Sequence, residues 1–158
     1  MELLRREGLD ASAHLSRCTT APMLDGADLI LAMTAEHVRR ATLISPESFG
    51  RTFLIKELAP AAAGRPRKPD ETLGHYLPDL FPDREKAHYL SVRSELEVAD
   101  PYGRRMKAYK VAFAELAEMM KQLVVGLFAG QASPGPSVPP STTASPSATI
   151  SNPGPRAG

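Results

Sequence analysis

The chain has 158 residues, with 19 Lys or Arg and 18 Asp or Glu, so its formal net charge at pH 7 is +1. This length suits a single domain, and the balanced charge excludes a nucleic-acid binder that works by broad phosphate neutralisation. No apolar run is long enough for a transmembrane helix, and the first residues lack the apolar core of a secretory signal. A single cysteine excludes a disulfide framework or a multi-cysteine zinc site. We expect a cytoplasmic protein that uses neither a metal nor a cofactor.

The first half of the chain predicts a strand, a helix and a second strand. A short opening helix ends at Gly8, which tolerates the left-handed conformation of a helix end. An apolar run over 27–33 predicts a strand buried on both faces, and Thr34 is a candidate N-cap for a helix that continues to about Ile44. Residues 51–55 predict the second strand. This order implies a parallel sheet with a right-handed crossover.

The second half predicts loops and one long helix. Residues 61–70 combine prolines with a basic cluster, which is typical of a solvated loop, with anion steering as the alternative. A helix is expected over about 83–95. After Gly103 apolar side chains recur at alternating spacings of 3 and 4, which predicts an amphipathic helix packed on the sheet. The predicted core comprises Leu29, Ile30, Leu31, Phe53, Ile55, Phe113, Leu116 and Leu123.

The end of the chain differs in composition from the rest. Residues 130–158 are rich in Pro, Ser and Thr, and their only charge is Arg156. Such a segment buries too little apolar surface to offset the entropy of ordering it. We therefore predict a domain over 1–129 and a disordered tail over 130–158.

Familiar catalytic motifs are absent from the sequence, and one tetrapeptide is a candidate for chemistry. There is no phosphate-binding glycine loop, and the four histidines lack metal-ligand spacing. Cys18 is followed six positions later by Leu24 where a cysteine-phosphatase loop needs Arg, so Cys18 is expected to be a small buried residue. Asp100, restricted by Pro101, is suited to general acid work, and Tyr102 offers a flat wall for an aromatic substrate. The alternative is a turn in which Asp100 caps the following helix.

Four segments, in the expected order, resemble the low-molecular-weight protein tyrosine phosphatases. The family's G-[IL]-D-x-S-x-H-x-[AS]-R segment is matched by residues 8–17, GLDASAHLSR. Its A-D-L-[IV]-L-x-M-[TD] strand and helix start are matched by residues 27–37, ADLILAMTAEH. The next strand resembles residues 51–57, and the general-acid loop resembles residues 100–103, DPYG.

The resemblance implies a fold, a reaction and a set of site residues. The fold is α/β, a partial doubly wound parallel sheet with a long C-terminal helix. The reaction is hydrolysis of phosphotyrosyl proteins or small aryl phosphates through a phosphocysteine. Asp100 matches the general acid, Tyr102 the aromatic wall and His14 a residue that supports the phosphate loop, while the role of Arg17 is left open.

The family's nucleophile loop, C-x5-R-[ST], does not occur in these 158 residues. We therefore expect the first third of the domain to be absent, the chain alone to be inactive, and the strand near Leu29 to expose an unpaired apolar edge. One alternative is a non-catalytic remnant or interaction protein whose edge is covered by a partner chain. Another is an arginine phosphatase or arsenate reductase of the same fold. Residues 60–97 form a longer segment than in many members of the family.

Overall fold

The computed structural model of the protein describes residues 2–6, 8, 10–91 and 94–128. In chain order, its helices and strands are α1 (Glu2–Arg6), α2 (Ala21–Asp25), β1 (Ile30–Ala32), α3 (Ala35–Ile44), β2 (Thr52–Leu54), α4 (Ile55–Gly64), α5 (Leu73–Leu80) and α6 (Met106–Phe128). Short 3₁₀ helices span Pro46–Arg51, Lys86–Tyr89 and Ser94–Leu96. The predicted tail over 130–158 lies outside the described residues. None of the helices in the described ranges is long and apolar enough to cross a membrane.

The predicted strand–helix–strand unit is confirmed. Strands β1 and β2 pair in parallel, with Ile30 opposite Thr52. The Thr34 hydroxyl accepts a hydrogen bond from the His37 N–H at 3.4 Å, as expected of an N-cap for α3. Gly8, after α1, has a φ of +73°, as predicted for a helix end. Within the described residues the sheet has these two strands, so the fold is α/β and its doubly wound form stays a prediction.

The two strands differ in burial. All three residues of β2 are buried, whereas in β1 only Ala32 is buried and Ile30 and Leu31 are half-buried. The prediction that the first strand is buried on both faces is therefore wrong. The physical reason is that β1 has β2 on one side and, among the described residues, no strand on the other. An unpaired edge of this kind was expected from the sequence.

The main core lies where α4, α5, β2 and α6 meet. Of the predicted core residues Phe53, Ile55 and Leu123 are buried, and the other five are half-buried. The long helix is confirmed, but it packs chiefly on α4 rather than on the sheet. That helix pair closes tightly at Gly126, where an added Cβ would lie 2.6 Å from the backbone carbonyl of Ala62.

The basic cluster of the loop after α4 was predicted to be solvated, but the structure buries one of its side chains. The Arg67 side chain is buried, and its Nε donates to the Leu127 carbonyl at 3.0 Å. Its backbone N–H donates to the Gly126 carbonyl at 2.8 Å. These carbonyls belong to the last turn of α6, where the carbonyl oxygens have no N–H donors within the helix. Arg67 therefore completes the end of α6, while Arg65 pairs with Glu71 at 2.9 Å.

The prediction of a helix over 83–95 is also wrong, because an arginine with a buried side chain organises that segment. Arg84 donates to the Phe49 carbonyl at 2.7 Å and to the Tyr89 hydroxyl at 2.7 Å, and it also donates to the Thr52 carbonyl. Its guanidinium lies 4.1 Å from the centre of the Phe53 ring. These tertiary contacts bend the chain into short 3₁₀ helices in place of a continuous α-helix.

Candidate functional site

The Asp100 loop is fastened to the junction between β1 and α3. The Val98 N–H donates to the carbonyl of Met33, the residue directly after β1, at 2.9 Å. The Glu97 Oε1 accepts a hydrogen bond from the N–H of Ala35, the first residue of α3, at 2.8 Å. The loop therefore lies at the carboxyl end of β1, the end at which open α/β sheets bind their ligands.

Asp100 itself forms a tight turn. Its Oδ1 accepts a hydrogen bond from the Tyr102 N–H at 2.8 Å, and the Arg104 N–H donates to the Pro101 carbonyl at 2.9 Å. Gly103 follows with a φ of +71°, a conformation that favours glycine. The turn alternative is thus correct for the backbone, but the carboxylate caps this turn rather than α6. Among the described residues the Oδ2 of Asp100 has no hydrogen bond, so this oxygen of the exposed side chain is accessible to a ligand.

A cavity of about 600 Å³ adjoins Asp100. Its polar lining includes Asp100, Thr34 and His37, and most of the remainder is apolar. The apolar part comprises Leu4, Met33, Val98, Ala99, Pro101, Tyr109, Ala112, Phe113 and Leu116. The cavity therefore combines a carboxyl group and an imidazole with a surface that suits an aromatic or aliphatic group.

The residues predicted for the site are not all brought together. Tyr102 is next to Asp100 in the turn, but it is 85% exposed and does not line the cavity among the described residues. His14 is exposed on an irregular segment, where its backbone N–H donates to the Ala11 carbonyl at 3.1 Å. It does not line the cavity either. The roles assigned to Asp100, Tyr102 and His14 stay predictions.

A second cavity, of about 500 Å³, borders β1 directly. Arg17, Cys18 and Arg40 line it together with His37, which also lines the cavity at Asp100. Cys18 is exposed, so the prediction of a small buried residue is wrong. The reason is that Cys18 belongs to an irregular segment beside the half-buried strand instead of to the core. No group of three or more potential metal ligands occurs in the part of the chain that the structure describes.

Sequence reasoning missed two side chains of this region, Glu97 and Arg40, and considered His37 only within a motif and among the four histidines without metal-ligand spacing. Glu97 contacts a residue 62 positions earlier in the chain, so no local spacing reveals it. His37 carries a recoverable signal, because it lies in the first turn of a helix that follows a short apolar strand. Side chains at that point face the carboxyl end of a parallel sheet.

The comparisons with known proteins relate part of the chain to phosphatases. It is 40% identical over 54 residues to the low molecular weight protein-tyrosine-phosphatase Etp of Escherichia coli strain K12. This matched stretch covers 34% of this chain and 36% of that protein. It is 33% identical over 55 residues to a putative low molecular weight protein-tyrosine-phosphatase of Klebsiella pneumoniae, 35% of this chain and 38% of that protein.

The matches support a phosphatase-like relationship. They span little more than a third of the length of these curated relatives. No family model matches the chain, and no solved structure matches it. The relationship therefore rests on the matched third.

Proposed function

We propose that this chain is the acid-bearing part of a low-molecular-weight protein tyrosine phosphatase domain, with Asp100 as its general acid. The observation that carries the proposal is the attachment of the Asp100 loop to the end of β1, beside a largely apolar cavity. The partial similarity to two phosphatases adds independent support.

The reaction has two steps, and Asp100 acts in both. A cysteine thiolate of the C-x5-R loop attacks phosphorus, the bond to the phenolic oxygen breaks, and the protonated Asp100 gives its proton to that oxygen. The Asp100 carboxylate then takes a proton from water as the water attacks the phosphocysteine, which releases phosphate and the thiolate. Backbone N–H groups and the arginine of the loop stabilise the phosphoryl oxygens in both steps.

The nucleophile has to come from a segment outside these 158 residues, because their only cysteine, Cys18, has no arginine six positions later. Among the described residues β1 has no strand on its other side, and a further parallel strand there would extend the sheet. Tyr102 stands next to Asp100 with its ring exposed, where it can stack on the phenol of an aryl phosphate.

The proposal is tested with two proteins. The 158-residue chain should not hydrolyse aryl phosphates above background. A fusion in which the C-x5-R segment of a low-molecular-weight phosphatase precedes Gly8 should hydrolyse them. Steady-state kinetics with one poor and one acidic phenol leaving group compare the two.

The fusion also tests the general acid. Asp100→Ala should lower kcat by about 10²–10⁴-fold for the poor leaving group, and by less for the acidic phenol, which needs little protonation. Asp70→Ala, which removes an exposed carboxylate from another loop, is the matched control and should leave kcat unchanged. Turnover by the chain alone, or a fusion indifferent to Asp100→Ala, would contradict the proposal.

A second candidate function is favoured by the unpaired edge of β1 and the two cavities beside it. In this case the chain is a non-catalytic interaction protein whose β1 pairs with a strand of a partner chain. Fusion with the C-x5-R segment would then give no activity, although the chain would fold and form a stable complex with its partner. Activity of the fusion therefore decides between the two candidates.

A further inference from the structure

We infer that Glu97 is the positioning residue for Asp100, an inference that rests on the proposed function of Asp100. Glu97 is half-buried, and its Oε1 accepts the hydrogen bond from the Ala35 N–H described above. It touches neither the nucleophile nor the phosphate in the proposed reaction. Its effect on catalysis is to hold the loop that carries the acid.

The acceptor is placed where a helix needs one. The first N–H groups of α3 have no partners within the helix, and the dipole of the helix favours a negative charge at that end. Thr34 satisfies the N–H of His37, and Glu97 satisfies the N–H of Ala35. Glu97 is therefore a remote cap, supplied by a segment 62 residues further along the chain.

The next residue completes a two-point clamp. Val98 is buried, and its N–H donates to the Met33 carbonyl at 2.9 Å, two residues before the contact of Glu97 with Ala35. The clamp, defined as these two hydrogen bonds, fixes the backbone of 97–98 on the junction between β1 and α3. Asp100 follows two residues later.

Apart from the packing of Val98 in the core, the described residues provide few other contacts that hold the loop. The other hydrogen bonds that residues 95–105 form with the described chain are local, within the loop or to the first turn of α6. Ala99 and Asp100 are exposed. Loss of the Glu97 bond should therefore loosen Val98 and move Asp100 away from the end of β1.

Hydrogen exchange on the ¹⁵N-labelled 158-residue chain tests the clamp without any activity. Glu97→Ala should speed exchange of the Val98 N–H by about tenfold, the effect of losing one typical hydrogen bond. Glu97→Gln keeps an oxygen that can accept the same bond and should restore most of the protection. Glu95→Ala, at an exposed neighbouring carboxylate, is the matched control. The Arg67 N–H, bonded to α6, should exchange at the same rate in all variants.

The wild-type and Gln proteins keep the inference testable if the Ala variant does not fold. The amide resonance of Ala35 should differ between these two proteins, because its hydrogen-bond acceptor changes from a carboxylate to a neutral amide oxygen. An Ala35 resonance that is the same in both, or a Val98 N–H that stays protected in Glu97→Ala, would overturn the inference.

The fusion enzyme separates this inference from the proposed function. Glu97→Ala should lower kcat about tenfold or more for the poor leaving group and less for the acidic phenol, with KM unchanged, because it acts through the general acid. It should add little to Asp100→Ala in the double variant. If Asp100→Ala has no effect, the proposed function fails while the exchange result still stands. If Asp100→Ala slows the enzyme and Glu97→Ala does not, the positioning role is wrong.

Discussion

Replacing Gly126 by alanine would force a methyl group into the backbone of α4. The new Cβ would lie 2.6 Å from both the carbonyl carbon and the carbonyl oxygen of Ala62, and 2.8 Å from its Cβ. Cβ atoms in folded proteins essentially never approach another heavy atom this closely, so the two helices have to separate. Two of the three close atoms are backbone, and backbone has no alternative rotamer that would relieve the contact.

The expected loss of stability follows from two opposing effects. Overpacking of a well-packed core costs about 1–3 kcal/mol and occasionally more, and a backbone neighbour places this site at the upper end. Alanine regains about 1 kcal/mol over glycine through its higher helix propensity. Separation of the helices also strains the hydrogen bond from the Arg67 N–H to the Gly126 carbonyl. We therefore expect Gly126→Ala to lower the free energy of unfolding by about 2 kcal/mol or more.

Urea unfolding followed by far-UV circular dichroism measures this loss. Gly64→Ala is the matched control: it lies at the end of α4, an added Cβ meets nothing within 4 Å, and the change should be neutral or stabilising. Ala62→Gly should not rescue Gly126→Ala, because it removes the Cβ and leaves both backbone atoms in place. A Gly126→Ala chain as stable as the wild type, with Gly64→Ala behaving as expected, would refute the close packing of α4 and α6.

Two further predictions concern stability. Burial, together with the Glu57 carboxylate that accepts its hydroxyl hydrogen bond at 2.6 Å, raises the pKa of Tyr89 above its ordinary value. The unfolded chain therefore loses this proton first, and stability should be independent of it below about pH 10 and fall above, by at most about 1.4 kcal/mol per pH unit. Tyr89→Phe should flatten this alkaline decline in denaturant unfolding, and an unchanged slope would contradict the contact. Leu123→Ala should cost about 2–5 kcal/mol, and Phe113→Ala less than the about 3–5 kcal/mol of a buried Phe, because Phe113 is half-buried beside a cavity. A larger loss of unfolding free energy for Phe113→Ala than for Leu123→Ala in urea would show that α6 is docked differently.

The features predicted well from the sequence are those specified by short segments. Each of three such features depends on residues close together in the chain: the N-cap at Thr34, the glycine end of α1 and the periodicity of α6. The parallel pairing of β1 and β2 followed because their connection contains an α-helix. The turn at 100–103 was also indicated locally, since Pro101 restricts the backbone and Gly103 tolerates a positive φ, while the role of Asp100 stays a prediction.

Most of the features that failed depend on partners far away in the chain. Arg67 was interpreted as loop surface, yet it serves a helix end 60 residues later. Arg84 was placed in a helix, but its acceptors lie on segments 32 and 35 residues earlier, and those contacts decide the backbone. Glu97 had no local signal at all. Helix α4 was missed because Pro60, inside it, normally indicates a break.

The way Arg84 is bound determines which substitutions the chain tolerates around it. Two of its acceptors are the main-chain carbonyls of Phe49 and Thr52, and these oxygens remain whatever side chain stands at either position. Position 52 is thus free to vary in sequence as far as this arginine is concerned. Positions 49, 53 and 89 carry flat rings that lie 4.1 to 4.9 Å from its guanidinium, and a residue without a ring there would lose this contact. Position 84 has no such freedom, because lysine has neither the planar group nor the fork of donors that this site requires.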